Sequence, residues 1–278
     1  MSTTAGSGAT ERAAGSRAAA VAVALWWAVL FFGVIDLLVG IVPSEYEDFS
    51  QFIVVETSWG LLYTCLISFP LIAWALRPVR WVGPQIVAVA AAILVAGVTA
   101  AAWGQALLAF VVAASAAFPR MWRPRPRWSE ARLLVTPAFW PLDALLLIGL
   151  GGALWHAWDA VETARSPLVD DDTWGLMHLP MQAGFALAVP AAAAVAVLAV
   201  ANRVSGWWFA IVPPAVSAVW FGVVCTRYPD LLGSLGETAG WVTVAWGTAT
   251  PVAVWTTGFL IRSVDITPAV GNRRRGSN

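Results

Sequence analysis

Lysine is missing from this chain: all sixteen basic residues are arginine. Chemistry that needs a lysine amine, such as a retinal Schiff base or a pyridoxal aldimine, is thereby excluded. A GC-rich coding sequence is enough to explain the absence. Cysteine is almost as scarce. Cys65 and Cys225 stand in separate apolar runs without metal-ligand spacing around them, so they read as buried thiols and not as a redox or metal pair. Charge is thin as well, at 12% of residues, with sixteen acids against the sixteen arginines. No cofactor or metal is expected. Nucleic acid is not an expected partner either. The one basic loop, "RMWRPRPRW", borders an apolar run and suits anionic lipid headgroups.

What the chain has in abundance is apolar surface. Hydrophobic residues make up 59% of it and the mean hydropathy is +0.74. Runs long enough to cross a bilayer core of about 30 Å recur throughout. The expected fold class is all-α, a polytopic membrane protein. Eight spans are expected, near 18–42, 52–76, 82–99, 103–119, 136–160, 174–200, 205–226 and 240–262. Residues 1–17 and 264–278 read as disordered tails, the first without a signal-peptide pattern. Arginine placement sets the orientation. With eight spans and both tails cytoplasmic, only Arg165 and Arg227 fall outside, as the positive-inside rule demands. The expected location is the cell membrane. Acids lean the other way, from Glu45 to Glu237, which leaves the outer face negative.

Two outer stretches match without a gap. "ETSWGLLY" at 56–63 and "DDTWGLMH" at 171–178 pair Glu56 with Asp171, Trp59 with Trp174, Gly60 with Gly175 and Tyr63 with His178. Each opens the second helix of a four-helix half. The match suggests two parallel repeats, 18–132 and 133–263, related by a pseudo-two-fold axis along the membrane normal.

Positions i, i+3 and i+7 share a helix face. Glu56, Trp59 and Tyr63 therefore form one stripe, and Asp171, Trp174 and His178 form its counterpart. Asp36 lies about 10 Å inside the first helix at 1.5 Å per residue, among Leu, Ile and Val. "LWHAWDAV" places His156 and Asp159 on one face of the fifth helix. An ionisable group at a membrane helix centre costs about 2.5–3.5 kcal/mol on insertion scales, and such groups face a bundle interior or a wet cavity. Each residue also has a plainer reading. Asp171 serves equally as a first-turn acid, Glu56 as an interfacial one, and His178 as a core histidine bonded to a backbone carbonyl. If the stripes converge, they enclose an outer-leaflet cavity walled by Trp59, Trp155, Trp158 and Trp174, with Tyr63 beside them. A carboxylic acid there can donate a proton and a neighbouring carboxylate or imidazole can take one back. Tryptophan faces attract the positive charge that develops on carbon.

"FFGVIDLLVGIVP", followed by "ETSWGLLYTCLISFPLIAWALRPVRWVGPQIVAVA", resembles the four-helix EXPERA module of emopamil-binding sterol isomerases and the sigma-2 receptor. The likeness lies in an acid before an outer proline, an acid opening the next helix, and an Arg-Pro turn with an aromatic before a helix carrying Pro or Gln. It implies Asp36 and Glu56 as the acid pair of one module, and His156, Asp159 and Asp171 as the His-plus-carboxylate set of a second. "ETSWGLLY" also resembles a helix of membrane-bound meroterpenoid cyclases, with Gly60 where that family has its glutamate. Both likenesses imply an isomerase or cyclase acting on an isoprenoid or sterol-like lipid, with Asp36, Glu56, His156, Asp159, Asp171 and His178 as catalytic candidates. Trp59, Tyr63, Trp155, Trp158 and Trp174 are the candidates for binding that hydrophobic partner. A lipid-binding protein without chemistry and a proton-coupled transporter remain the alternatives.

Overall fold

The computed structural model of the chain describes residues 7–39, 51–117, 139–166, 172–173 and 176–265. Eleven α-helices run through them: α1 (Ser7–Leu25), α2 (Gly33–Val39), α3 (Ile53–Leu61), α4 (Phe69–Leu76), α5 (Val82–Thr99), α6 (Trp103–Ala114), α7 (Trp140–Ala164), α8 (His178–Ala201), α9 (Trp207–Ala210), α10 (Val212–Arg227) and α11 (Gly236–Asp265). Two π-helical segments, π1 (Trp26–Leu30) and π2 (Leu62–Ser68), continue α1 and α3. Among the described residues, six helices are long and apolar enough to cross a membrane. They are Ile53–Leu76, Val82–Thr99, Trp140–Ala164, His178–Ala201, Trp207–Arg227 and Gly236–Ile261. The pair Ala14–Leu30 and Gly33–Val39, bent by 43°, passes the same test only if taken together as one broken span, and α6 is a shorter apolar helix. The fold is that of a multi-pass membrane protein.

Helix α8 forms the centre. It carries no Asp, Glu, Lys or Arg and is rich in alanine, so neighbouring backbones approach it closely. It packs most extensively on α5 and α7, and also meets α3, α9, α10 and α11. At Gly184 an added Cβ would lie 3.2 Å from the Ile93 Cα, which shows how near α5 comes. The helices of the two expected four-helix halves therefore share one core, in which Tyr63, Trp74 and Ile86 join Phe185, Ala196 and Phe221. The rim is apolar. Leu147, Ile148 and Leu154 of α7 and Val252, Phe259 and Leu260 of α11 are exposed, as lipid-facing side chains are.

Proline and glycine set the irregular points. The α1–π1–α2 path breaks at Phe31 and Phe32, where Phe32 adopts a φ of 61°, a left-handed conformation that bulky residues rarely hold. The segment π2 ends two residues before Pro70, which lacks an N–H and sits in the first turn of α4, where none is needed.

The "DDTWGLMH" stretch departs from expectation. Asp172–Thr173 and Leu176–Met177 pair as a two-residue antiparallel ribbon, β1 and β2, and α8 begins only at His178. Pro180 is the reason. A helix running from 174 would bury Pro180 in its interior, losing the bond to the residue 176 carbonyl and clashing with it. Started at His178, the helix holds Pro180 in its first turn without loss. Of the expected stripe of Asp171, Trp174 and His178, only His178 stands on α8 among the described residues. Asp171 and Trp174 lie outside the described residues.

Candidate proton-transfer site

Three ionisable side chains from three helices meet near one end of α8: Asp36 of α2, Glu56 of α3 and His178 of α8. Two glycines bring them together. A Cβ at Gly60 would lie 2.6 Å from the Leu37 Cα and would overlap its backbone nitrogen, so only glycine lets α2 close on α3. A Cβ at Gly33 would lie 2.9 Å from both the Trp27 carbonyl oxygen and the Tyr63 Cβ. With the helices at this distance, the Asp36 and Glu56 carboxyl groups lie within electrostatic reach of one another. Two carboxyl groups this close can share a proton, which one of them would then donate to the other. Glu56 Oε1 also lies 3.3 Å from His178 Nε2. Asp36 is buried and Glu56 is half-buried, so the pair has one sheltered and one accessible acid.

The surroundings are aromatic. The Trp59 ring stacks on the His178 imidazole with centroids 4.7 Å apart, and its Nε1 donates to the His178 carbonyl at 3.2 Å. Phe52 lies 5.6 Å from the same imidazole. Tyr63 is fully buried on π2, stacked on Trp27 at 5.6 Å and edge-on to Phe31 at 4.8 Å and Trp59 at 6.2 Å. Trp27 is held in turn by its Nε1, which donates to Ser115 Oγ at 2.9 Å. Tyr63 Oη has no hydrogen-bond partner among the described residues and lies within electrostatic reach of both acids. A buried hydroxyl left so costs about 1–3 kcal/mol. An incoming hydroxyl or water would satisfy it.

The structure thus brings together Asp36, Glu56, Trp59, Tyr63 and His178. It does not bring His156 and Asp159 to them. His156 is buried against α8, α10 and α11 in a separate cavity whose wall contains none of those five residues. Asp159 is exposed, and so are Trp155 and Trp158. The expectation that His156 and Asp159 share an inward face is corrected. Residues three apart sit about 60° apart around a 3.6-residue helix, and the narrow buried stripe of α7 (Leu142, His156, Ala157, Ala160, Val161) ends between them. Trp155 and Trp158 do not wall the acid site, for the same reason. Trp27, Phe31 and Phe52 belong to the site and carry no local sequence signal, since their partners come from other helices. No grouping of three or more metal-ligating side chains occurs among the described residues.

Compared with protein-family models, with curated proteins and with solved structures, the chain matches none.

Proposed function

We propose that this chain is a membrane-embedded isomerase or cyclase that protonates a carbon–carbon double bond of an isoprenoid or sterol-like lipid. The observation that carries the reading is the convergence of Asp36 and Glu56, with Glu56 3.3 Å from His178, inside an aromatic enclosure. The proton held by the carboxyl pair goes to an alkene carbon and leaves a carbocation beside the Trp59, Trp27 and Tyr63 faces, whose quadrupoles favour positive charge. Loss of a proton from an adjacent carbon to His178 or to the carboxylate restores a double bond at a new position. In a cyclase, a second double bond attacks the cation before that loss. The Glu56–His178 contact returns the proton to the acid pair, so the cycle consumes no other reactant.

The finer architecture belongs to the same proposal. Eight spans arise if the bent first pair and α6 each cross, with both tails cytoplasmic and Arg165 outside. The terminal contacts agree with this alternation. Arg165, ending α7, donates to the Thr99 carbonyl that ends α5 at 2.7 Å, and Trp81, opening α5, donates to the Gly206 carbonyl before α9 at 3.1 Å. The EXPERA likeness is retained for Asp36 and Glu56 only. The second acid–base partner comes from His178 of α8, not from the His156–Asp159 pair.

One observation favours a second reading, a proton-coupled transporter. The first path is broken at Phe31–Phe32, one turn from Asp36, and discontinuous helices line the ion and substrate sites of transporters. Purified protein in proteoliposomes containing a cellular lipid extract separates the two. Catalysis predicts a rearranged lipid that Asp36→Asn and Glu56→Gln abolish without loss of folded protein. Transport predicts solute uptake that follows an imposed pH gradient, with the lipids unchanged.

A further inference from the structure

Away from the acid site, α7, α8, α10 and α11 enclose a cavity of about 150 Å³. Its wall is built, not left over from loose packing. The Trp246 ring lies across Gly149, where an added Cβ would come within 2.6 Å of the indole, and Trp246 Nε1 donates to the Leu145 carbonyl at 2.7 Å. Phe185 and Phe221 meet edge-on at 5.2 Å to form the inner wall. The cavity is not sealed, and α7 and α11, which form part of its wall, carry exposed apolar side chains.

One titratable side chain stands in this wall, and the proton-transfer site does not use it. His156 is only 4% exposed, its ring lies 5.7 Å from that of Phe221, and its Nε2 has no hydrogen-bond partner among the described residues. Thr243, on the wall from α11, spends its proton on the Ala239 carbonyl at 2.8 Å and keeps an acceptor oxygen. A cavity of this size holds about one six-membered carbon ring. A buried nitrogen without a partner costs about 1–3 kcal/mol, which a ligand hydroxyl would recover. A hydroxyl both donates and accepts, so it satisfies His156 whichever ring nitrogen carries the proton.

We propose that this cavity is a second ligand site, which takes the hydroxyl-bearing ring or branched end of an uncharged lipid alcohol. The hydroxyl bonds His156 Nε2, the carbon skeleton fills the space between Phe185, Phe221 and Trp246, and any tail runs out between α7 and α11 into the bilayer. Apolar contact alone would admit a plain hydrocarbon, and His156 is the element that selects an alcohol. The site is independent of the reaction proposed for Asp36 and Glu56.

The chain has two histidines, which makes the test direct. Protein labelled with ¹⁵N at histidine, in lipid nanodiscs, gives separate imidazole signals for His156 and His178, assigned with His156→Phe and His178→Phe. Menthol is expected to shift the His156 signal and leave His178 in place. p-Menthane, the same skeleton without the hydroxyl, is expected to leave both unmoved. Gly152→Leu should abolish the menthol shift. Gly152 lines the cavity and a Cβ there meets nothing within 4 Å, so a larger side chain starts in open space beside the ligand without displacing a helix. The unchanged His178 signal reports that the variant is folded. Absence of a menthol shift, an equal shift with p-menthane, a shift confined to His178, or survival of the shift in folded Gly152→Leu would each overturn the proposal.

Discussion

Trp59 and His178, 119 residues apart in sequence, hold each other in two ways: the indole stacks on the imidazole at 4.7 Å, and its Nε1 donates to the histidine's own carbonyl at 3.2 Å. The carbonyl belongs to the first residue of α8, so the contact fixes both the start of the central helix and the plane of the ring that faces Glu56. Trp59→Phe keeps the stacking and loses the hydrogen bond. It should lower thermal stability by about 1 kcal/mol and leave the His178 imidazole signal near its wild-type position. Trp59→Leu removes both contacts and should shift that signal. Equal behaviour of the two variants would show that the indole does not orient the ring.

Gly60 is where α2 and α3 touch. Gly60→Ala forces a methyl group into the Leu37 backbone, and overpacking of this kind costs about 1–3 kcal/mol. The relief available is separation of α2 from α3, which pulls Asp36 away from Glu56. Unfolding in detergent should show the loss of stability, and lipid turnover should fall in the fraction that remains folded. A folded Gly60→Ala protein with full turnover would separate the acid pair from the activity.

Tyr63→Phe tests the hydroxyl without a partner. The ring keeps its contacts with Trp27, Phe31 and Trp59, and the buried Oη disappears. Stability should stay level or rise by about 1 kcal/mol, while turnover should drop. A marked loss of stability would mean that Oη already has a structural partner.

Topology is open to chemical labelling. Glu162 and Ser205 are both exposed, near the end of α7 and between α8 and α9. In a background with Cys65 and Cys225 replaced by alanine, Glu162→Cys should react with a membrane-impermeant maleimide in intact cells, and Ser205→Cys only after lysis. The reverse pattern would invert the orientation inferred from arginine placement.

Much of the helix layout can be read from hydropathy, because length and apolar composition decide what crosses a bilayer. Val82–Thr99 coincides with the run expected there, and Ile53–Leu76 lies within one residue of its own. The hairpin before His178 was open to reading too. "HLP" places a proline at the third residue of any helix starting at His178, which argues against a helix begun earlier. Within the site, the stripe of Glu56, Trp59 and Tyr63 was visible because it needs only one helix. His178 could be named as a polar ring in an apolar run, but its contact with Glu56 depends on how α8 docks against α3. Neither the π-helical turns nor the break at Phe32 leaves a period that could be counted. The partition of His156 from Asp159 turns on the width of the α7 contact with its neighbours, and no local pattern encodes that.

Proton transfer to carbon by the Asp36–Glu56–His178 cluster is tested most directly with heavy water. Wild-type protein in nanodiscs, supplied with a cellular lipid extract in D₂O, should produce a lipid carrying carbon-bound deuterium, detected by mass spectrometry. Asp36→Asn and Glu56→Gln should each slow that incorporation by about 100-fold or more. No deuterated lipid from the wild-type protein, or equal incorporation by all three proteins, would contradict the assignment.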